Sequence, residues 1–402
     1  MNVPLKKHDG SFLPDIRQSS TQHRVKQQKE TPQILSKEET ARITSSLKQN
    51  ICVEMLQEGF HRSYSELFFL LLSDQSRRSA DFSLAVQLQT PLDQHQDKLE
   101  TIRRHLSSAE QAERSGYWLE VCKQRMFLGR FFSAPEDRWL SLHFYHSCAD
   151  IKQGSRLTVE ARACLAEIYL QQGKLEPAKQ QAELCINQAE FSGWMDSDGQ
   201  PLRLRALRAL STIYTGLAAA SLDAADYDEG LKLLHQSCSI ATESEDKHSE
   251  AGASYQLGLG YQRAGDHTAA KQFFNRSMQM CGTLQDTEGL GKCYKAMAKS
   301  LHSEGNDAEA IRFLEKLVDI CVMMPRQLVE AFLCLGHVYF TQGQYERASE
   351  FFLKSYELSC DLDDVALLQE AQVWVGSARA HSTVREYLAD DVDRDRRSSG
   401  TE

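Results

Sequence analysis

The sequence predicts an all-α fold: an open solenoid of stacked helix hairpins, preceded by a separate helical region and flanked by unstructured ends. Three observations predict it. One frame of apolar and small residues recurs along the second half of the chain, mostly at 38–40 residue intervals. Hydrophobic residues make up 41% and charged residues 25% of the 402 positions, enough apolar surface for a continuous core. Glycines fall where helices would end or cross, not in a strand-to-helix phosphate loop.

Residues 1–35 form a polar arm with Pro4, Pro14 and Pro32 and little periodicity. Lys6, Lys7, Arg17, Arg24, Lys26 and Lys29 face three acids, so the arm is mildly basic and is expected to be disordered. A contact with an acidic partner such as a tubulin tail is the alternative to a solvated tail. Residues 36–150 read as a helical region. Ser36 and Glu39 have capping-box spacing, and Ile51, Met55 and Leu56 form an apolar stripe, which predicts a helix over 36–72. Further helices are expected over 95–150, with a degenerate repeat near 106–132.

The array is expected over 151–388. "LAEIYLQQGKLEPA" (165–178), "LAAASLDAADYDEG" (217–230), "LGLGYQRAGDHTAA" (257–270), "MAKSLHSEGNDAEA" (297–310) and "LGHVYFTQGQYERA" (335–348) share one frame. An apolar residue comes first, a small one second, usually a bulky one fifth, and a small one last. Four positions later stand Leu234, Phe274, Leu314 and Phe352, with Ala182 in the earliest unit. This is the tetratricopeptide pattern, in which two antiparallel helices cross through small residues. The glycine near the ninth position stops the first helix by adopting positive φ. The chain is thus read as a TPR-like α-solenoid, a right-handed superhelix of helix hairpins.

In repeat numbering the units start near Val159, Ser211, Ala251, Gly291 and Val329, and a capping helix starts near Gln369. Spacings of 38–40 residues exceed the common form of about 34, so each helix or turn must be longer. The 52-residue step from 159 to 211 places its surplus in the loop "SGWMDSDGQP" (192–201). Residues 365–388 make the amphipathic capping helix with Trp374, and 389–402 a charged flexible tail.

A net charge of −10 argues against nucleic acid, which needs clustered Lys and Arg. Eleven scattered cysteines without C-x-x-C exclude the usual zinc and redox spacings, and those in the helices are expected to be buried small residues. The N-terminus lacks a signal-peptide core, and the run "LFFLLL" (67–72) is too short to span a bilayer. An intracellular chain with reduced thiols and no membrane contact is expected. His143 and His146 lie three apart near Cys148, but no third metal ligand has suitable spacing. Asp391, Asp393, Asp395 and Glu402 fit a calcium-loop spacing, but Arg396 stands where the turn needs glycine. No G-x-S-x-G, P-loop or H-E-x-x-H occurs, so neither catalysis nor a cofactor is expected.

One constellation points to binding. Lys292, Lys295, Lys299 and His302 occupy repeat positions 2, 5, 9 and 12, the positions that line the concave face of such a solenoid. Arg263 and His337, from the flanking repeats, extend the stripe. The functional reading is a basic groove for an acidic helix or carboxylate-bearing segment. The plain reading is a solvated face balanced by neighbouring acids. Position 9 holds Glu167, Ala219, Leu259, Lys299 and His337, so the asparagines that clamp chaperone tails are missing.

"NICVEMLQEGFHRSYSELFFLL" (50–71), "AERSGYWLEV" (112–121), "SEAGASYQLGLGY" (249–261) and "DTEGLGKCYKAMAKSLHSEGNDAEAI" (286–311) resemble the tetratricopeptide repeat protein 29 family. The resemblance covers roughly residues 45–385, and its 50–71 part lies outside the repeat frame. It implies a non-enzymatic axonemal scaffold in the cytoplasm and cytoskeleton of cilia and sperm flagella. The partners it implies are axonemal dynein or intraflagellar transport components, in support of dynein-driven motility. The alternative is a cytoplasmic peptide-binding adaptor of the 40-residue-repeat type, in polarity or signalling. A hydrolase hidden in the N-terminal helices has the least support.

Overall fold

The structure is a computed structural model and describes residues 46–80, 89–152, 154–190, 193–362 and 364–398. The arm predicted over 1–35 and the start of the helix predicted from 36 lie outside the described residues. Sixteen α-helices follow one another among the described residues: α1 Leu47–Gln57, α2 His61–Ala80, α3 Gln96–Arg114, α4 Trp118–Phe131, α5 Arg138–Ala149, α6 Arg156–Gln171, α7 Leu175–Ala189 and α8 Leu202–Asp223, then α9 Tyr227–Glu243, α10 Lys247–Arg263, α11 His267–Leu284, α12 Thr287–Ser303, α13 Asp307–Ile320, α14 Pro325–Thr341, α15 Tyr345–Cys360 and α16 Val365–Ser398.

The long repeat has a local cause. Asp226, Asp246, Asp266, Asp286 and Asn306 stand 20 residues apart, and each caps a helix by accepting a backbone N–H one turn or less ahead. Helices of 14–18 residues and short turns therefore alternate from α9 to α13. Two such segments make the 40-residue unit, so the extra length over the common repeat sits in the helices. Gly173, Gly265, Gly305 and Gly343 take φ of +70° to +85° in the hairpin turns. The unit starting at 211 has Ala225 there, at φ 62°, a conformation that strains any residue with a Cβ.

Consecutive first helices touch: α4 with α6, α6 with α8, α8 with α10, α10 with α12, α12 with α14 and α14 with α16. Consecutive second helices do not pack in this way. The first helices thus form the tighter, inner layer of a curved stack.

Size matching holds each hairpin together. Position 8 of the first helix meets position 24 of the second, sixteen residues on. A Cβ on Gly258 would fall 2.5 Å from the Phe274 ring, and one on Gly336 would collide with Phe352. Where position 8 is Ala166, Ala218 or Ala298, position 24 is Ala182, Leu234 or Leu314, all buried. Glycine thus accompanies an aromatic ring, and alanine an aliphatic or small side chain. Position 27 adds a polar clasp: Cys185, Ser237, Ser277 and Ser355 each donate to the position 1 carbonyl 26 residues earlier.

These two rules recover a repeat upstream of the predicted array. A Cβ on Gly129 would lie 2.5 Å from the Tyr145 ring, and the Cys148 thiol donates to the Cys122 carbonyl. The unit therefore starts at Cys122 and comprises α4 and α5, so the stack begins about 30 residues before the expected boundary at 151. The expected degenerate hairpin at 106–132 pairs α3 with α4, which are neighbours from successive units.

Two other elements differ from expectation. The helix predicted over 36–72 breaks at Gly59 (φ 82°), where the Phe60 N–H closes onto the Met55 carbonyl, and α2 then runs to Ala80. The last helix continues to Ser398, so residues 389–398 of the expected flexible tail extend α16. The 192–201 surplus is confirmed from residue 193 on. It is a loop knotted by Asp196, whose carboxylate accepts from the Asp198 and Gln200 N–H groups, and α8 supplies the remainder by starting at Leu202.

Candidate functional site

The inner face divides into two halves. In the N-terminal half, charges satisfy one another and the chain's own loop covers them. Arg130 of α4 and Arg156 of α6 both bind Glu160, which is 1% exposed, at 2.5 and 3.1 Å. Arg205 grips Glu167 through two bonds of 2.5 and 2.6 Å and lies 3.5 Å from Asp196. Arg156 also donates to the Met195 carbonyl and Arg130 to the Ser197 hydroxyl, which pins the 193–201 loop onto this face.

The C-terminal half is open. A groove of about 590 Å³ runs between α10 and α12, with Tyr255 and Leu259 on one wall, Cys281 and Cys293 at its floor, and Glu288 and Lys292 on its rim. The predicted stripe lies on α12, and Lys292, Lys295 and Lys299 are all exposed there. Two of the three are neutralised. Lys292 pairs with Glu288 at 2.7 Å, and Lys295 pairs with Glu330 of α14 at 2.7 Å. Burial would lower the Lys295 pKa, but its bond to Glu330 and the charges of Glu330 and Glu370 hold it above the usual lysine value. Lys299 has no carboxylate within ion-pair distance among the described residues.

Of the other members, His302 ends the stripe on α12 itself, and the flanking Arg263 and His337 do not continue it. His302 holds Asp307 at 2.6 Å in its own hairpin turn, and Arg263 turns back to Asp223 of the preceding unit at 2.6 Å. His337 packs edge-on to Trp374 of α16, with centroids 4.3 Å apart, and to Phe352 at 5.3 Å. Its Nε2 is buried without a partner, and burial pushes the imidazole below the usual histidine value. Among the described residues this face is polar, with Lys292 and Lys295 paired, Lys299 unpaired and the Glu370 carboxylate acting on Lys295, rather than a continuous basic groove.

His143 and His146 diverge. His143 Nε2 meets Glu66 at 2.9 Å, and His146 Nε2 meets the Tyr169 hydroxyl at 2.7 Å, while Cys148 is consumed in the position 27 clasp. No group of three or more His, Cys, Asp or Glu able to hold a metal occurs among the described residues. All eleven cysteines are free thiols, buried for the most part, although Cys360 is exposed, contrary to expectation. No helix among the described residues is long and apolar enough to cross a membrane.

Sequence reasoning missed Glu66. This α2 carboxylate reaches Arg125 of α4 through bonds of 2.8 and 3.1 Å as well as His143 of α5, and so fixes α2 to the first hairpin of the stack. Burial would raise its pKa, but the hydrogen bonds and charges of His143 and Arg125 bring it down to about 2. Its partners lie 59 and 77 residues away, so no local spacing announces the cluster.

Comparison with known proteins agrees with this architecture. Tetratricopeptide repeat models match residues 209–283, 250–322 and 329–359. Tetratricopeptide repeat protein 29 of Macaca fascicularis is 34% identical over 365 residues, covering 88% of this chain and 77% of that protein. The Homo sapiens protein of the same name matches with the same identity and coverage. Among solved structures, a putative kinesin light chain with nearly identical TPR-like repeats from Podospora anserina is 18% identical, with a TM-score of 0.38 over 52% of this chain and 99% of that one. At that identity the likeness is one of fold alone.

Proposed function

Because the chain belongs to the tetratricopeptide repeat protein 29 family, we propose that it is an axonemal scaffold that holds partner proteins in motile cilia and sperm flagella. A scaffold that contacts other proteins is the role the repeats and relatives support. The axonemal location, and dynein or intraflagellar transport components as partners, extend that role through the family. The observation that carries the reading is the division of the inner face: the chain's own loop fills one half, and the other keeps an open groove between α10 and α12, the helix that also carries the unpaired Lys299.

On this reading the partner lays an extended or helical segment along α10 and α12, with a carboxylate near Lys299. Catalysis has no part in it. Reversal of Lys299 to Glu should weaken capture of axonemal proteins from ciliated-tissue extract by about tenfold, the usual effect of placing like charges opposite each other at an interface. Undiminished capture by Lys299→Glu would remove this site. A tagged chain should concentrate in the axoneme, and a diffuse or cortical signal would favour the cytoplasmic adaptor instead.

A further inference from the structure

The rule that governs each hairpin leaves one position unexplained. Position 8 is glycine in four units. In three of them, at Gly129, Gly258 and Gly336, the space of the missing Cβ is filled by an aromatic ring from the second helix: Tyr145, Phe274 or Phe352. The fourth is Gly376 of α16, with nothing within 4 Å of where a Cβ would stand. By frame, α16 is a first helix, docked on α14 and α15 through Ala371, Trp374 and Ala378. Among the described residues, no element packs on the side that would receive a second helix.

That side has a distinctive composition. Val365, Ala366, Gln369, Val373, Gly376, Ala380, Thr383, Val384 and Tyr387 follow one another at helical spacing, all exposed and all uncharged. Val373 is 67% and Tyr387 70% exposed. The row spans 23 residues, about 33 Å of helix from first to last. Small residues at its middle allow the close approach that glycine and alanine permit inside the hairpins.

We propose that this row is an interface between two copies of the chain, in which α16 packs antiparallel on α16 of a second copy and Tyr387 of each fills the vacant place at Gly376 of the other. The occupant's chemistry comes from the hairpins: glycine at position 8 accompanies an aromatic ring on an antiparallel helix. Tyr387 is the one aromatic residue in the row, eleven residues beyond Gly376. An antiparallel pair in that register repeats the contact by symmetry, as a two-fold interface requires, and sets Ala380 opposite Thr383 of the second copy. In this register the uncharged contact runs from Gly376 to Tyr387 of each copy, whereas Val373 and Gln369 fall level with Asp390 and Arg394 of the other.

Light scattering after size exclusion tests this on the full chain. The wild-type protein should approach twice the 45.6 kDa chain mass as its concentration rises. Gly376→Leu fills the vacancy at an exposed helical position, and Tyr387→Ser removes the ring. Each should raise the dimer dissociation constant about tenfold or more, as loss of an aromatic anchor does, with helix content by circular dichroism unchanged. A wild-type protein that stays monomeric to its solubility limit overturns the proposal. So does a dimer as tight in both variants as in the wild type. If the monomer shields Tyr387 only on addition of an aromatic-bearing helix from another protein, the second copy is the wrong occupant.

Discussion

At the N-terminal end of the stack, α2 sets the Glu66 carboxylate between Arg125 of α4 and His143 of α5; at the C-terminal end, α16 turns an uncharged row to solvent. Both ends face the same problem. A repeat unit cannot bury its own flank, so the terminal hairpins need something to cover them. The N-terminal end is covered from within the chain by a group that must stay ionised. The C-terminal end offers small and apolar side chains that leave a neighbouring helix free to approach. The difference separates a flank fixed by electrostatics, and therefore sensitive to pH, from one whose contacts depend on shape.

The largest effect should come from the charged end. Glu66 is held at about 2 against an ordinary value of 4.5, and its side chain is 19% exposed. A depressed carboxylate contributes stability that is fully present above the unfolded-state value and lost as pH falls through the folded-state value. Glu66→Gln should therefore cost about 3 kcal/mol at pH 7, judged by denaturant unfolding of the N-terminal region. The gap between wild type and variant should close as pH falls from 4.5 to about 2. A gap of constant size across that interval would show that Glu66 acts through packing and not through its charge.

A smaller effect should separate the ends at one repeat position. Gly129→Ala pushes a methyl group into the buried Tyr145 ring and should destabilise the first hairpin by about 1–3 kcal/mol, the range for overpacking a filled core. Ala on its own is not the problem, because Ala166, Ala218 and Ala298 occupy the same position beneath smaller partners. The double variant Gly129→Ala with Tyr145→Leu copies those units and should recover most of the loss in thermal unfolding. Without recovery, the pairing of position 8 with position 24 would not be a size rule.

How much of this could be read in advance depended on distance along the chain. The hairpins from 159 onward were legible because position 8, position 20 and the turn glycine lie within one short window. The unit at Cys122 escaped because its turn runs through Pro135 instead of a glycine and its position 20 is Ser141. Its remaining signal was the sixteen-residue step from Gly129 to Tyr145. The lysine stripe was placed correctly on one helix, but its neutralisation was only half visible. Glu288 stands four residues before Lys292, an ordinary helical pairing, whereas Glu330 reaches Lys295 from position 2 of the next unit. His337 shares repeat position 9 with Lys299, which makes it an extension of the stripe by sequence, yet Trp374 of the capping helix closes over it. Glu66 depended on contacts between helices far apart in sequence, which no periodicity encodes.

The smallest effect should have the opposite sign. Gly376 lies within the helical span of α16, and an added Cβ there meets nothing. Glycine in a helix interior is less favourable than alanine by about 0.5–1 kcal/mol, because it gives up more backbone freedom on folding. Gly376→Ala should therefore stabilise α16 by about that amount, measured by hydrogen exchange of its amides at concentrations low enough to keep the chain monomeric. The change that harms the first hairpin would help the last helix, although both glycines hold the same place in the repeat. A loss of protection in the monomer would mean that a side chain of the chain itself already fills the space at Gly376, and the contrast between the two ends would then disappear.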